Sequence, residues 1–190
     1  MAREPFRFSS ADGTRLCRQI LKDKLGFDPH DYVLEGVSQS LDGVDLLAIT
    51  PTGSGKTSFL IAYLVVMNAI LESPQLCPSA AFPKNPVMII VVPTKSLELD
   101  MEPKFVKAGL KPLVINRDTV SRAKNASPRV DLWKKATEVQ IQVLLLSPEQ
   151  LRTKGYASLM ENEEPGEIPP SARHSNRLDT HGLACAAGQS

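Results

Sequence analysis

The segment Asp45-Leu46-Leu47-Ala48-Ile49-Thr50-Pro51-Thr52-Gly53-Ser54-Gly55-Lys56-Thr57-Ser58-Phe59-Leu60-Ile61 decides how this chain is read. The run Asp45 to Ile49 is apolar but too short for a helix, so it reads as a buried strand. A loop bearing two glycines follows. From Ser58 to Leu71 the sequence is apolar on nearly all sides, which predicts a long, deeply packed helix. A strand, a glycine-bearing turn, Gly-Lys-Thr and a helix make up the phosphate-binding loop. Each residue has a physical reason to be there. Gly53 and Gly55 permit backbone angles closed to other residues and let amide groups approach phosphate oxygens. The helix start adds unpaired N–H groups and a favourable dipole. Thr52, Gly53, Ser54, Gly55, Lys56, Thr57 and Ser58 are therefore the candidate nucleotide-binding residues. Lys56 is the candidate catalytic group, stabilising the β and γ phosphates, and Thr57 is the candidate magnesium ligand. The ligand so predicted is ATP with Mg2+. The general pattern has a further glycine, with four residues between it and Gly55, and this chain has Thr50 there.

Working outward, Arg15 to Leu25 reads as a short amphipathic helix. Pro29 opens a second, with Leu34, Val37 and Leu41 on one face, ended by Asp42-Gly43. Pro74, Pro78, Pro83 and Pro86 mark a loop between residues 72 and 86. Val87 to Val92 is a second buried strand. Ser96 to Ala108 reads as a helix that Pro103 should kink or split. Pro112 to Ile115 is a third strand, residues 131–138 are helical, and Val139 to Leu146 is a fourth strand closed by Ser147-Pro148. Apolar strands alternating with helices imply a parallel sheet covered on both faces.

The 190 residues carry 22 Lys and Arg against 21 Asp and Glu. Within residues 104–135 there are 9 basic and 2 acidic side chains, a local excess of seven that suits a polyanion or a set of solvated helix faces. Cys17, Cys77 and Cys185 fit no metal or disulfide spacing, which reads as reduced thiols. No apolar run approaches the roughly 20 residues of a membrane span, and the start shows no secretory pattern, so no membrane partner is expected. From about Glu161 the chain turns polar and proline-bearing and reads as a disordered or divergent tail. The expected organisation is an N-terminal extension over 1–11, a partial nucleotide-binding domain over 12–160 and the tail over 161–190.

The form Pro51-Thr52-Gly53-Ser54-Gly55-Lys56-Thr57 resembles motif I of superfamily 2 helicases, the DEAD/DEAH-box and RecQ-like group, in which the first position is commonly not glycine. Val91-Val92-Pro93-Thr94-Lys95-Ser96-Leu97 resembles motif Ia. Leu144-Leu145-Leu146-Ser147-Pro148-Glu149-Gln150-Leu151 resembles the Ser-Pro-Glu segment of RecQ-like proteins, the fungal type above all. The resemblance covers roughly residues 15–160. It implies an incomplete P-loop RecA-like α/β fold, three-layered around a parallel sheet. It implies nucleic-acid contacts at Pro93, Thr94, Lys95, Ser147 and Pro148, DNA before RNA, and 3′-to-5′ unwinding in complete relatives. It also implies a nuclear location.

Two departures follow from the same comparison. Val33 stands where the family has the glutamine that reads adenine, and Phe27 or Tyr32 is left to stack on the base. The Asp-Glu pair that holds magnesium and orients water in the family occurs nowhere in this chain, and no second lobe is visible, so the chain reads as cut before its catalytic carboxylates and inactive alone. Two alternatives stay open: a P-loop kinase or other small ATPase, for which Arg117, Arg122 and Arg129 are the lid candidates, and a non-enzymatic nucleic-acid-binding module. His30, His174 and His181 read as surface or loop residues, and Trp133 as a core anchor rather than a base-stacking platform.

Overall fold

A computed structural model of the chain describes residues 6–49 and 55–161. Thr50, Pro51, Thr52, Gly53 and Ser54 lie outside the described residues, as do the first part of the N-terminal extension and all of the tail expected over 161–190 except Glu161, which is helical. The chain divides into two compact units, residues 1–86 and 87–190.

The first unit is helical. Helix α1 spans Ala11–Leu25, four residues longer at its start than the apolar pattern predicts. The reason is a cap: the Ser10 side chain accepts from the Gly13 N–H, and Asp12 sits in the positive first turn. Helix α2 spans Asp31–Leu41 and buries the expected face of Leu34, Val37 and Leu41. Helix α3 spans Lys56–Glu72 and is buried on nearly every side, as its uniform hydrophobicity requires. The three helices pack together. The Asp42 carboxylate accepts from the Phe8 and Ser9 N–H groups at 2.7 and 2.9 Å, which ties the chain's start to the end of α2. Phe8, 5% exposed, then stacks on Phe82 with centroids 5.8 Å apart.

The strand expected over Asp45–Ile49 does not form. Residues 44–49 have no regular structure, and Leu47 and Ile49 are 87% and 90% exposed. An apolar run is only half of a strand; the other half is a partner for its N–H and C=O groups, and no described residue supplies one here.

The second unit is α/β. Strands β1 (Met88–Val91), β2 (Pro112–Ile115) and β3 (Val143–Leu146) form a parallel sheet in the order β1-β3-β2. In register, Ile89, Leu144 and Leu113 stand abreast, as do Val91, Leu146 and Ile115. The central β3 is wholly buried, which its four consecutive apolar residues anticipate. The predicted strand from Val139 shortens to four residues because Val139 is 70% exposed and only Val143 onward meets both neighbours. Pro112 opens an edge strand, where proline is tolerated.

Helix α4 spans Lys95–Lys107 without a break, so of the expected kink or split at Pro103 the split does not occur. The carbonyl that Pro103 cannot serve belongs to Leu99, which is 71% exposed, so the missing bond falls where solvent has access. Helices α5 (Arg117–Asn125), α6 (Leu132–Ala136) and α7 (Lys154–Glu161) complete the unit. One face of the sheet, Leu113, Ile115, Leu144 and Leu146, forms a core with Ala136 and Ile141, against which Trp133, Tyr156 and Leu159 pack. Trp133 is thus an anchor, as expected, its ring 6.4 Å from Tyr156 in an edge-on arrangement. The parallel sheet and its helices are those of a partial RecA-like α/β fold. No helix among the described residues is long and apolar enough to cross a membrane.

Candidate functional site

In the first unit the chain enters α3 through Gly55, whose φ of 87° lies in the left-handed region and requires glycine. The Gly55 carbonyl receives the Ser58 and Phe59 N–H groups at 2.8 and 3.3 Å, closing the first turn. Lys56 and Thr57 therefore occupy the opening turn of a 17-residue helix, where amide groups lack intrahelical acceptors. That turn holds no acidic side chain, so its positive end is uncompensated within the helix. Such a start fits a polyphosphate. Lys56, Thr57 and Ser58 are half-buried there.

Beside this turn lies a cavity of about 220 Å³, lined among others by Phe27, Tyr32, Val33, Gly55 and Ser58. The two aromatic candidates for stacking thus share one pocket with the beginning of α3, though they are separated from it by more than twenty residues of sequence. Val33 is 4% exposed and offers the pocket no hydrogen-bonding group. His30, given no role by spacing, also lines the pocket and stacks on Tyr32 with planes 13° apart. Its only sequence signal is position, one residue before α2. Asp28 lines the same pocket and accepts from Lys22 and Arg18 at 2.7 and 2.6 Å. The Lys22 ammonium, with Arg18, holds the Asp28 carboxyl below its usual range, and Asp31 with Asp28 holds the Arg18 guanidinium above its own. Gln39, the nearest glutamine to the family position, lies outside this pocket and lines a separate polar cavity with Arg18 and Ser38.

A magnesium ion would find the Thr57 hydroxyl at the helix start. Among the described residues no group of three or more His, Cys, Asp or Glu side chains converges to hold a metal. The ion's remaining ligands would be phosphate oxygens and water, a common arrangement for magnesium.

In the second unit the remaining candidates meet along the C-terminal ends of the strands, the crest at which open parallel sheets bind ligands. Pro93 and Thr94 leave β1, and Thr94 caps α4 by accepting from the Leu97 N–H at 3.4 Å. Ser147 and Pro148 leave β3; the Ser147 N–H donates to the Ile115 carbonyl at 3.3 Å. Lys95 is ion-paired with Asp118. That partner holds the Asp118 carboxyl low, and the Ser147 hydroxyl does the same for Glu149.

Sequence reading missed three members of this crest: Glu98, Asn116 and Asp118. Asn116 leaves β2, caps α5 and donates from Nδ2 to Glu98 at 2.5 Å. A signal existed, since Asn116 and Thr119 form a reciprocal capping box. Burial pushes the Glu98 carboxyl up, although the Asn116 bond works against it. The crest is thus of mixed charge. The basic excess lies further along: Arg117, Arg122 and Lys124 of α5 and Lys134 and Lys135 of α6 are exposed, while Lys104 is paired with Asp100.

Comparison with known proteins places the chain in a family. The DEAD/DEAH box helicase model matches residues 34–163. Among curated proteins, the chain is 34% identical over 90 residues to DEAD-box ATP-dependent RNA helicase 30 of Arabidopsis thaliana, an overlap of 46% of this chain and 14% of that protein. It is 33% identical over 88 residues to DEAD-box ATP-dependent RNA helicase 20 of Oryza sativa, covering 45% and 16%. It is 31% identical over 116 residues to ATP-dependent RNA helicase DBP2 of Debaryomyces hansenii, covering 52% and 20%. The chain spans about a seventh to a fifth of these relatives' lengths. With more than half of its residues matched in order, from α2 through the phosphate loop, the parallel sheet and the Ser147 crest, the chain belongs to the DEAD/DEAH box helicase family.

Proposed function

We propose that this chain is the nucleotide- and nucleic-acid-binding part of an ATP-dependent helicase. Lys56 and Thr57, with Thr52 to Gly55 before them and Ser58 after, hold the triphosphate and its magnesium. Pro93, Thr94, Lys95, Ser147 and Pro148 meet the backbone of a single strand. The observation that carries this reading is the pocket in which Phe27 and Tyr32 share a wall with Gly55 and Ser58, because it offers a base a stacking surface beside a helix start suited to its phosphates. When bound, the magnesium nucleotide supplies the phosphoryl chemistry; the residues present bind and orient it. The Asp-Glu pair that would activate water is absent from the chain, so hydrolysis by the chain alone is negligible.

The relatives named above act on RNA by name, which makes RNA at least as well supported as DNA. A RecQ-like DNA reading is the second one, and the Ser147-Pro148-Glu149 segment after β3 favours it. Membership of a helicase family takes precedence over the kinase alternative.

The test is nucleotide binding and turnover by the chain beside Lys56→Ala, with single-stranded RNA or DNA added. The expected result is magnesium-dependent ATP binding weakened at least about tenfold in Lys56→Ala, the worth of one charge-assisted contact or more. Turnover stays at background in both. Turnover that a nucleic acid stimulates and Lys56→Ala abolishes would show that another residue replaces the missing carboxylates. Absence of ATP binding would remove the site itself. Tighter RNA than DNA binding at equal salt decides between the two strands.

A further inference from the structure

Six of the nine cations within residues 104–135 gather on the outside of one helical layer of the second unit. We infer that the solvent face of α5, α6 and the loop joining them is a second nucleic-acid contact, which holds the sugar-phosphate backbone of a strand leaving the crest and reads no base. This rests on the contacts proposed at the crest and extends them to residues outside every motif named above.

Both helices lie on the same face of the sheet. Val120 of α5 and Leu132 and Trp133 of α6 pack against the core of Leu113, Ile115, Leu144 and Leu146. The Val130 N–H donates to the Ala123 carbonyl at 3.0 Å, which ties the connecting loop back to α5. With these residues turned inward, Arg117, Arg122, Lys124, Arg129, Lys134 and Lys135 are exposed. None of the six side chains forms an ion pair or hydrogen bond with a described residue. The acids of the segment are already engaged. Asp118 pairs with Lys95, and Asp131 caps α6 by accepting from the Trp133 and Lys134 N–H groups. Like charges with no counter-charge of their own repel one another. A bound polyanion reverses that cost and gains from releasing its own counterions.

Position and chemistry favour a nucleic-acid backbone as that polyanion. Asn116 caps α5 where β2 ends, so Arg117 follows directly from the crest at which Thr94 and Ser147 leave their strands. Ser121, Asn125 and Ser127, exposed between the cations, carry the hydroxyl and amide groups that contact phosphate and sugar oxygens. Val130 is the one large apolar side chain exposed along residues 117–135, where a helix entering lipid would carry a stripe of them. The segment's aromatic ring, Trp133, is packed against the core, so contact stays with the backbone and not with stacked bases.

The experiment follows the anisotropy of a labelled oligouridylate of about 20 nucleotides binding to the full chain between about 50 and 200 mM salt. The crest candidates include one cation, Lys95, which alone would give a slope of log K against log salt near 0.7; the chain's slope should exceed about two. Arg122→Gln, Lys124→Gln, Lys134→Gln and Lys135→Gln together should lower it by about two or more and weaken binding at about 100 mM salt at least tenfold. Lys124→Arg, Lys134→Arg and Lys135→Arg together keep the charge and should keep both values, which separates lost charge from damaged folding. A strand of mixed sequence should behave as oligouridylate does. A chain slope near 0.7, or one that the glutamine variant leaves unchanged, would overturn the inference while the crest contacts stand. A chain that binds no oligonucleotide would remove the crest contacts and the inference together. Tighter binding to vesicles of phosphatidylserine in phosphatidylcholine than to either strand, lost in the glutamine variant, would assign the surface to lipid and overturn it equally.

Discussion

A methyl group on Gly155 would lie 2.3 Å from Cδ1 and Nε1 of Trp133, well inside contact distance. The indole cannot retreat easily, since Tyr156 meets it edge-on and the core of Leu113, Ile115, Leu144 and Leu146 lies behind. Gly155 is therefore kept for close approach and not for its backbone angles. Alanine in place of glycine ordinarily favours a helix by about 1 kcal/mol. Here overpacking of about 1–3 kcal/mol should exceed that gain. Gly155→Ala is expected to lower the urea midpoint, and Trp133→Leu in the same chain to recover part of the loss; additive effects of the two substitutions would refute the contact. Sequence gave partial sight of this pair. Trp133 stood out as a large apolar side chain on a basic segment, whereas Gly155 could be understood only once α6 and α7 were seen to meet.

Between elements, the bond from Asn116 to Glu98 joins the end of β2 and the start of α5 to α4. Glu98 is 3% exposed, and its second oxygen, Oε1, has no partner. Burial raises this carboxyl, so ionisation costs more in the folded chain than in the unfolded one. The penalty is complete above the folded value and vanishes below the unfolded value near 4.3. Glu98→Gln preserves an acceptor for Asn116 and removes the charge. It should stabilise the chain at pH 7 by about 1 kcal/mol, the scale of an incompletely satisfied buried group. The advantage should shrink as pH falls toward 4, which thermal melts of both proteins across that range would reveal; a gap independent of pH would mean that charge is not the cause. At this scale, legibility followed periodicity. Helix α2 is legible through apolar spacing and α3 through an apolar run too long for a strand. Helix α5 is not, because Arg117 to Asn125 contains no fully buried residue and so no apolar stripe to find.

For the molecule as a whole, the strand predicted over Asp45–Ile49 is the most informative discrepancy. Composition was right and pairing was missing, and no pattern within those five residues could have told the difference. The consequence is an apolar run open to solvent, with Val44 52%, Leu47 87% and Ile49 90% exposed. Exposed apolar runs of strand-forming residues promote association. Leu47→Ser with Ile49→Ser should raise the soluble monomer fraction in sedimentation or light scattering, with the melting temperature shifted by less than about 2 °C, as expected of surface changes. A large fall in melting temperature would show instead that this run is packed in solution. The start of α3 was legible from the apolar run that follows Gly55-Lys56-Thr57, because a segment apolar on nearly all sides needs a buried helix to hold it. The pocket was only half legible: Phe27 and Tyr32 were named as stacking candidates, but Asp28 and His30 joined them through the packing of α1 and α2.

The proline at the head of β2 has a further effect. The Lys111 carbonyl receives the Val143 N–H and the Ile115 carbonyl that of Ser147, so odd-numbered residues face β3 and Pro112 turns to the outer edge. That edge has one donor fewer than a four-residue strand would otherwise present. Among the described residues the sheet is thus asymmetric: the outer side of Met88–Val91 keeps its full set of donors and that of Pro112–Ile115 lacks one.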